Sequence, residues 1–307
     1  MLCLAGITAL SAEPLLIVSY NVENLFHPAH DSLKDDWEWT PEGERRWSYT
    51  RYYRKVENIA RVLTVIGGWD GVDIAGLQEV ENAACVQQLC TTLRRGEYGF
   101  VHYESPDLRG IDVALVYKKS RIDTLSSRAI SIQHSDFRTR DILYVCAKVD
   151  RRDTLHLFVC HLPSQRGGAA ESEWKRTAVK KVLQGAIDSV YAVHPQAKII
   201  VMGDMNSEPK EDLKGVMNRM ISSSAPSSGG EKSYGTHKYH GRWTYLDQFY
   251  TSPAIDSLSS VRIYDAEWVQ EPDEKYLGLR PKRTFNGFQY RKDSFSDHLP
   301  IVMVIKN

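Results

Sequence analysis

Short apolar runs bounded by polar or turn-forming residues recur along the chain and predict β-strands. Three longer segments instead repeat apolar residues with the period of an amphipathic helix. In the first of these, Val56, Ile59 and Leu63 share one face, and Gly67 and Gly68 end the pattern. The predicted helices cover residues 49–66, 83–93 and 171–193, and the predicted strands cover residues 15–20, 73–77, 111–117, 129–132, 142–149, 155–162 and 198–202.

The order of these elements predicts the layout of the fold. Strands outnumber helices and the helices lie between strands along the chain, so we expect β-sheets with helices packed outside them. The segment 27–46 predicts a long surface loop, residues 21–24 a polar turn, and residues 222–242, with their serines and glycines, a mobile loop. The sequence has no repeat of fixed period and no long linker, which favours one domain.

Charge and composition exclude several classes of protein. Lys plus Arg number 39 and Asp plus Glu 39, so the chain lacks the bulk basicity that drives non-specific binding to nucleic acid, and only a local basic groove stays compatible with that role. No apolar run reaches the roughly 18 residues that suggest a membrane span, so we expect no integral membrane segment. The composition is that of an ordinary globular protein, which we expect to be a monomer.

The N-terminus resembles a secretory signal. Residues 1–12 combine an apolar run with a Ser-Ala pair before Glu13 and Pro14, although they lack a basic start. We interpret them as a signal-peptide remnant ahead of a domain at residues 13–307, and expect a periplasmic or secreted protein. A short first strand in a cytoplasmic protein is the alternative. The four cysteines beyond Cys3 leave disulfides and buried free thiols equally open.

Polar residues suited to metal or phosphate chemistry lie at the ends of the predicted strands. Each is weak evidence alone, because a turn carboxylate or a core histidine is the simpler explanation of any one of them. Together they form an oxygen-rich set without cysteine, which suits Mg²⁺, Mn²⁺ or Ca²⁺ better than zinc and predicts phosphoester hydrolysis. The set comprises Asn21, Glu79, His161, Asp204, Asn206, Asp297 and His298.

Seven short motifs resemble those of one known family in identity and order. The family is the endonuclease/exonuclease/phosphatase superfamily, also called DNase-I-like. The motifs are YNVENLF at 20–26, GLQE at 76–79, RGIDVA at 109–114, VCHL at 159–162, VMGDMN at 201–206, YLDQ at 245–248 and SDHLP at 296–300. They span almost the whole chain after the leader. The resemblance implies an α+β fold of four layers, an α/β/β/α sandwich of two mixed β-sheets flanked by helices.

The same resemblance implies a metal site and a group that acts on the scissile phosphate. Glu79 is expected to be the principal metal carboxylate, with Asn21 beside it and Asp297 completing or hydrogen-bonding the site. The expected cofactor is Mg²⁺ or Mn²⁺, with Ca²⁺ as an alternative. Asp204 is expected to position or deprotonate the attacking water, and Asn206 to donate to a phosphate oxygen.

Two histidines complete the implied machinery. Asp247 is expected to hold the imidazole of His298, which acts either as a cation that polarises the phosphate or as a general base. His161 is the expected donor to the phosphate or to the leaving oxygen. Arg109 and Asp112 fall in the stretch that supports the site in the family, where their roles are less uniform. Arg109 is expected to support the site or contact substrate, with a surface salt bridge as the equal alternative.

The substrate is less sharply defined than the reaction. Basic and aromatic residues interleave at 45–55, where they would suit nucleic acid, although a solvated helix face explains the same pattern. Arg166 and Trp243 belong to further basic patches and are predicted substrate contacts. We therefore expect a nuclease of the endonuclease or exonuclease type. The alternatives are a phosphatase or phosphodiesterase for a small or lipid phosphoester, and a catalytically silent binding protein.

Overall fold

Two mixed β-sheets face each other in the computed structural model of the chain, which describes residues 13–94, 96–165, 168–209, 220–222 and 235–306. Among these residues each large sheet has six strands. In the order in which they neighbour one another, the first sheet consists of β13 (Ser259–Ile263), β18 (Ile301–Ile305), β1 (Leu15–Leu25), β2 (Ile74–Val80), β4 (Asp112–Lys118) and β3 (Tyr98–His102).

The second sheet has the same number of strands within the described part of the chain. In spatial order these are β5 (Ile122–Ile130), β6 (Ile142–Val149), β7 (Asp153–His161), β8 (Lys198–Asp204), β12 (Asp247–Thr251) and β9 (Ile221–Ser222). Three small hairpins flank the sheets: β10 (His237–Tyr239) with β11 (Arg242–Thr244), β14 (Gln270–Pro272) with β15 (Leu279–Pro281), and β16 (Phe285–Asn286) with β17 (Gln289–Tyr290).

The helices lie close to their predicted positions. They are α1 (Tyr49–Gly67), α2 (Ala83–Arg94), α3 (Ala169–Val193) and the short α4 (Pro253–Asp256), with 3-10 turns at Trp37–Trp39 and Glu267–Val269. The Ser48 side chain accepts a hydrogen bond from the Arg51 backbone N–H and so caps the start of α1. Gly68 has a φ of +59°, the left-handed backbone that commonly ends a helix.

Three apolar layers hold the sandwich together. Side chains of β1 and β2 pack with those of α1 and α2 on the outside of the first sheet. A second cluster, which includes Ile17, Leu157 and Met202, fills the space between the two sheets. A third joins the outer face of the second sheet to α3. Helices therefore cover both outer faces, and the predicted four-layer α+β sandwich is confirmed.

The structure corrects several local predictions. Residues 21–24 lie within β1, where the register shifts between Asn21 and Leu25 and Glu23 and Asn24 have positive φ, so the predicted turn is a local irregularity inside the strand. Glu79 lies within β2. The segment 27–46 is not purely a surface loop, because Trp39 is buried and stacks on Phe26. The predicted strand 129–132 overlaps only the last two residues of β5, which begins at Ile122 and whose polar, exposed positions hide it from an apolar pattern.

Other predictions fall partly or wholly outside the described residues. Residues 1–12, interpreted as a signal peptide, lie outside them, as do 223–234 of the predicted mobile loop. Of the remaining residues of that loop, Ser222 ends β9 and residues 237–242 belong to the β10–β11 hairpin. Outside the N-terminal segment the cysteines are free thiols, which decides the disulfide question for Cys85, Cys90, Cys146 and Cys160. Among the described helices none is long and apolar enough to cross a membrane.

Candidate active site

Strand register brings the predicted polar residues to one edge of the sandwich. In the first sheet, β1 and β2 run parallel, and Asn21 lies opposite Gln78, the residue before Glu79. In the second sheet, His161 lies opposite Asp204, and Asp204 lies opposite Asp247 across the next strand pair. Because the two sheets pack face to face, the ends of β1 and β8 lie together, and Asn21 and Asp204, 183 positions apart, come within hydrogen-bond distance.

Asp204 is the centre of this cluster and is almost fully buried. Its Oδ2 accepts a hydrogen bond of 3.1 Å from Asn21 Nδ2, which joins the two sheets at this point. The same oxygen lies 3.6 Å from His161 Nε2 and 3.8 Å from His298 Nε2. Oδ1 accepts from the Asn206 backbone N–H at 2.9 Å, so one carboxylate is oriented from both sides.

Glu79 borders the cluster from the first sheet. Its Oε2 accepts from the Asn24 backbone N–H at 2.9 Å, and its Oε1 lies 4.0 Å from His161 Nε2. Glu79 has a φ of +64°, a conformation uncommon for glutamate. Non-glycine residues in this region concentrate at functional sites, where surrounding contacts hold them in place.

His298 and Asp247 form a buried hydrogen-bonded pair. His298 Nδ1 donates to Asp247 Oδ2 at 2.7 Å, as the family resemblance implies. Burial alone would lower the pKa of His298, but the negative charge of Asp247, with further contributions from Asp204 and Asp297, raises that pKa well above its ordinary value. The imidazole is therefore held in the charged form.

His161 and Asp204 have opposite electrostatic environments. Burial, with smaller contributions from Arg140, Arg109 and His298, lowers the pKa of His161 well below its ordinary value, so this imidazole is neutral. Burial also raises the pKa of Asp204 to about 7, against the opposing charge of His298. His161 Nδ1 is buried without a hydrogen-bond partner, while Nε2 faces two carboxylates, which favours the tautomer with the proton on Nε2.

The remaining predicted residues occupy varied positions. Asn206 Nδ2 donates to the Leu162 carbonyl at 2.9 Å, so one of its amide hydrogens is already used. Asp297 is partly exposed, and its Oδ2 lies 4.0 Å from His237 Nε2. Trp243 lies in β11 and packs against the first core, and Arg166 lies outside the described residues.

Arg109 supports Glu79 indirectly. Its Nη2 donates to Asn24 Oδ1 at 2.6 Å, and the backbone of Asn24 in turn donates to Glu79. The sequence left a supporting role and a surface salt bridge equally open for Arg109, and this contact to the Asn24 amide favours the supporting role.

His237 is a member of the cluster that the sequence reasoning missed. It forms a β-bridge with His298, and the two rings lie 4.7 Å apart between centroids. Burial, followed by the charge of His298, lowers the pKa of His237 to about 4. No motif singles out His237, because it belongs to the segment predicted to be a mobile loop.

The basic and aromatic segment 45–55 is largely structural. Lys55 is fully buried and donates to the Phe295 carbonyl at 2.6 Å, and Tyr52 is buried. The guanidinium groups of Arg45 and Arg51 lie over the Trp39 and Tyr290 rings respectively, at 4.7 and 4.8 Å. The segment therefore offers less free basic surface than its sequence indicates.

The site's polar atoms fit a divalent cation. One Glu79 oxygen receives the Asn24 N–H while the other faces the cluster, and buried Asp247 Oδ1 has no hydrogen-bond partner. Asp204, Asp247 and His298 also bring ligand-type atoms within 4.8 Å of one another. Because His298 is protonated and bound to Asp247, we interpret this trio as a hydrogen-bonded chain and Glu79 as the carboxylate best placed for a cation.

The fold and the site together define the class of protein. A model of the Endonuclease/Exonuclease/phosphatase family matches residues 16–307, and the chain belongs to that family. The family name covers hydrolases of phosphoester bonds. No curated protein sequence matches the chain significantly.

Solved structures with the same fold share little sequence with this chain. Truncated TDP2 from Caenorhabditis elegans is 18% identical with a TM-score of 0.63, over 97% of this chain and 100% of that one. The catalytic domain of human Nocturnin, with bound sulfate, is 19% identical with a TM-score of 0.59, over 95% and 93%. An endonuclease/exonuclease/phosphatase from Bacteroides vulgatus is 15% identical with a TM-score of 0.57, over 96% and 99%. At these identities the likeness concerns the fold.

Proposed function

We propose that this protein is a metal-dependent hydrolase of phosphodiester bonds in nucleic acid. The observation that carries the proposal is the convergence on Asp204 of Asn21, His161 and His298, with Glu79 beside them. This arrangement directs one carboxylate and two imidazoles at a common point, where a phosphate and its attacking water would lie. Family membership supports the bond type.

Each side chain has a distinct task in the proposed reaction. Glu79 would hold Mg²⁺ or Mn²⁺, with Asn21 and Asp297 as further ligands or supports, and the bound ion would supply positive charge at a phosphate oxygen. Asp204 Oδ2 orients the attacking water and receives its proton. His298 Nε2 directs a positive charge at the phosphate, and Asp247 keeps that ring in place.

The two remaining groups act as donors. With its proton on Nε2, His161 donates to a phosphate oxygen or to the leaving oxygen. Asn206 keeps one amide hydrogen for a second phosphate oxygen. No covalent intermediate is needed, because water is the nucleophile.

An aromatic surface beside the site supports a nucleic-acid substrate. In the β10–β11 hairpin, which also carries His237, the Tyr239 and His240 rings stack with centroids 4.1 Å apart, and Tyr276 lies against His240 at 5.7 Å. Tyr239 is 63% exposed, and Arg242 on the same hairpin is exposed. Exposed aromatic rings next to a basic side chain suit base stacking and phosphate contact.

The proposal is tested by comparing substrates under metal control. The purified chain is assayed with Mg²⁺, Mn²⁺ or EDTA on DNA, RNA, bis-p-nitrophenyl phosphate, sphingomyelin and inositol phosphates. We expect EDTA-sensitive cleavage of a nucleic acid. Glu79→Gln should lower the rate by about 10²-fold or more, while Glu97→Gln, at an exposed position, should leave it unchanged.

A second variant separates substrate from chemistry. Tyr239→Ala should raise KM for nucleic acid severalfold and leave turnover of bis-p-nitrophenyl phosphate unchanged, because only the polymer has a base to stack. Metal-dependent turnover restricted to a small or lipid phosphoester would overturn the assignment of nucleic acid as the substrate. If no substrate in the panel is hydrolysed, the proposal of a hydrolase is wrong, and a binding protein is favoured.

A further inference from the structure

A second group of ligand-type side chains lies outside the active-site cluster, where β3 ends and β4 begins. It consists of His102, Glu104 and Asp112, whose ligand atoms all lie within 4.8 Å of one another. His102 Nε2 is 3.7 Å from Asp112 Oδ2, and His102 Nδ1 is 4.0 Å from Glu104 Oε1. The imidazole and the Asp112 carboxylate are each 2% exposed, whereas Glu104 reaches the surface.

The buried polar atoms of this group lack well-formed hydrogen bonds. Neither oxygen of Asp112 has a donor in good hydrogen-bond geometry, although the Ser105 hydroxyl and backbone N–H act on this carboxyl and lower its pKa. His102 Nε2 has no hydrogen-bond partner. The nearby cation, Lys34, directs its ammonium group to the carbonyl of Ser105 at 2.8 Å instead. An unpaired buried carboxylate is costly, so the arrangement calls for a positive charge between Asp112 and His102.

Protonation of Asp112 is the competing way to relieve this cost. Burial raises the pKa of Asp112 to about 7, with Ser105 and Lys34 opposing the shift and Glu104 adding to it. Burial also lowers the pKa of His102 to about 4, again with a contribution from Lys34. A proton on Asp112 would not reach His102 Nε2 in a good hydrogen bond across 3.7 Å, whereas a metal ion between the two groups would bind both.

We propose that His102 and Asp112, completed by Glu104 from the surface, form a second cation site that binds Zn²⁺. One imidazole with two carboxylates favours a transition metal over Mg²⁺, which prefers an all-oxygen shell. Ligand atoms around tetrahedral zinc are about 3.4 Å apart, close to the observed 3.7 Å between His102 and Asp112. Glu104, which is half exposed, is free to close the remaining gap.

The position of this site indicates a structural role. A cation there would join the two ends of the loop that connects β3 to β4, the loop that carries Arg109. Asp112 lies opposite Val80 in the β2–β4 pairing, one residue beyond Glu79. Binding would therefore stabilise the outer part of the first sheet next to the active site, together with the loop that carries Arg109.

Metal binding itself tests the proposal. The full chain is stripped with EDTA and titrated with Zn²⁺ in the presence of millimolar Mg²⁺, by calorimetry and by metal analysis of the dialysed protein. A Glu79→Gln background keeps the catalytic carboxylate from contributing. We expect one Zn²⁺ per chain, a higher Tm with Zn²⁺, and weakening by about tenfold or more in Asp112→Asn and Glu104→Gln.

Matched controls make the result decisive. Asp73→Asn removes another buried carboxylate, which pairs with Arg121 near the opposite end of β4, and should bind Zn²⁺ like the parent. Because Glu104 is at the surface, Glu104→Gln should fold even if Asp112→Asn does not. Equal Zn²⁺ affinity in the parent and Glu104→Gln, or no Zn²⁺ bound by the parent under Mg²⁺, would overturn the site. Neither result would bear on the proposed hydrolysis, whose readout is turnover.

Discussion

At the scale of single residues, the candidate active site depends on a chain of oriented side chains. Asp247 fixes His298, and Ser296 Oγ accepts from the His298 backbone N–H while it donates to the Asn21 carbonyl. Asn21 in turn donates to Asp204. These side chains are joined by consecutive hydrogen bonds, so removal of one side chain should disturb the orientation of the next.

Asp247→Asn tests this chain at its buried end. The amide is nearly the same size but removes the charge that keeps His298 protonated and in place. We expect kcat to fall by about 10²-fold or more with little change in KM, because the lost interaction acts mainly in the transition state. His194→Asn, at an exposed histidine at the end of α3, is the control for a general effect of altering a polar residue. A wild-type kcat in Asp247→Asn would remove Asp247 from the machinery.

At the scale of elements, close approach of two parallel strands positions Asp204. Gly203 lies opposite Cys160 in the β7–β8 pairing and has a φ of +144°. A Cβ at this position would lie 1.9 Å from the Cys160 carbonyl oxygen, which is backbone and has little freedom to move. Glycine before Asp204 thus allows β8 to deliver the carboxylate at this depth.

Two glycine substitutions should have opposite effects on stability. Gly203→Ala should lower the free energy of unfolding by more than about 2 kcal/mol and reduce activity, since β7 and β8 must separate. Gly185→Ala in α3, where nothing lies within 4 Å of the new Cβ, should raise the free energy of unfolding by about 0.5–1 kcal/mol. Denaturant unfolding compares the two. Equal stability of both variants would contradict the inference that β7 and β8 can approach this closely only with glycine at position 203.

At the scale of the whole molecule, one buried ion pair connects distant parts of the chain. Lys55 in α1 lies 3.7 Å from Glu23 Oε2 in β1 and donates to Thr284 and to the Phe295 carbonyl, over 200 residues away. Glu23 accepts from the Thr284 backbone N–H at 2.6 Å. Burial raises the pKa of Glu23 to about 7 and lowers that of Lys55, so each charge depends on the other.

Removal of one member of this pair should be costly. Lys55→Met leaves Glu23 as an unpaired buried charge and should lower the free energy of unfolding by about 3–5 kcal/mol. Lys55→Met combined with Glu23→Gln should recover much of the loss, because no charge is then buried alone. Lys181→Met, at an exposed lysine of α3, should change stability by less than about 0.5 kcal/mol. Chemical denaturation at neutral pH measures all three, and a loss in the double variant as large as in Lys55→Met would contradict charge pairing as the cause.

Predictions from the sequence succeeded where neighbouring residues carry the information. The period of apolar residues located α1, α2 and α3 to within two residues at each end and identified β6 with its observed bounds. Family motifs correctly indicated the fold, and the structure places Asn21, Glu79, His161 and Asp204 together. Their catalytic roles stay predictions that the experiments above test.

The failures have a common physical cause. β5 has mostly polar, exposed residues, so no apolar period marks it, and pairing with β6 alone makes it a strand. Lys55 resembles a surface lysine until Glu23 and Phe295 pack around it. His237 joins the cluster only through its bridge to His298.

The sequence by itself therefore determined the elements, the family and the chemical types at the strand ends, because these follow from local periodicity and short motifs. Tertiary structure alone decided which charges are buried, which histidine is neutral and which polar atoms are left without partners. Those properties depend on strand register and on desolvation by residues far apart in the chain. Asp112 and His102 are of this second kind: their types are plain in the sequence, but the burial that leaves their polar atoms without well-formed hydrogen bonds exists only in the folded molecule.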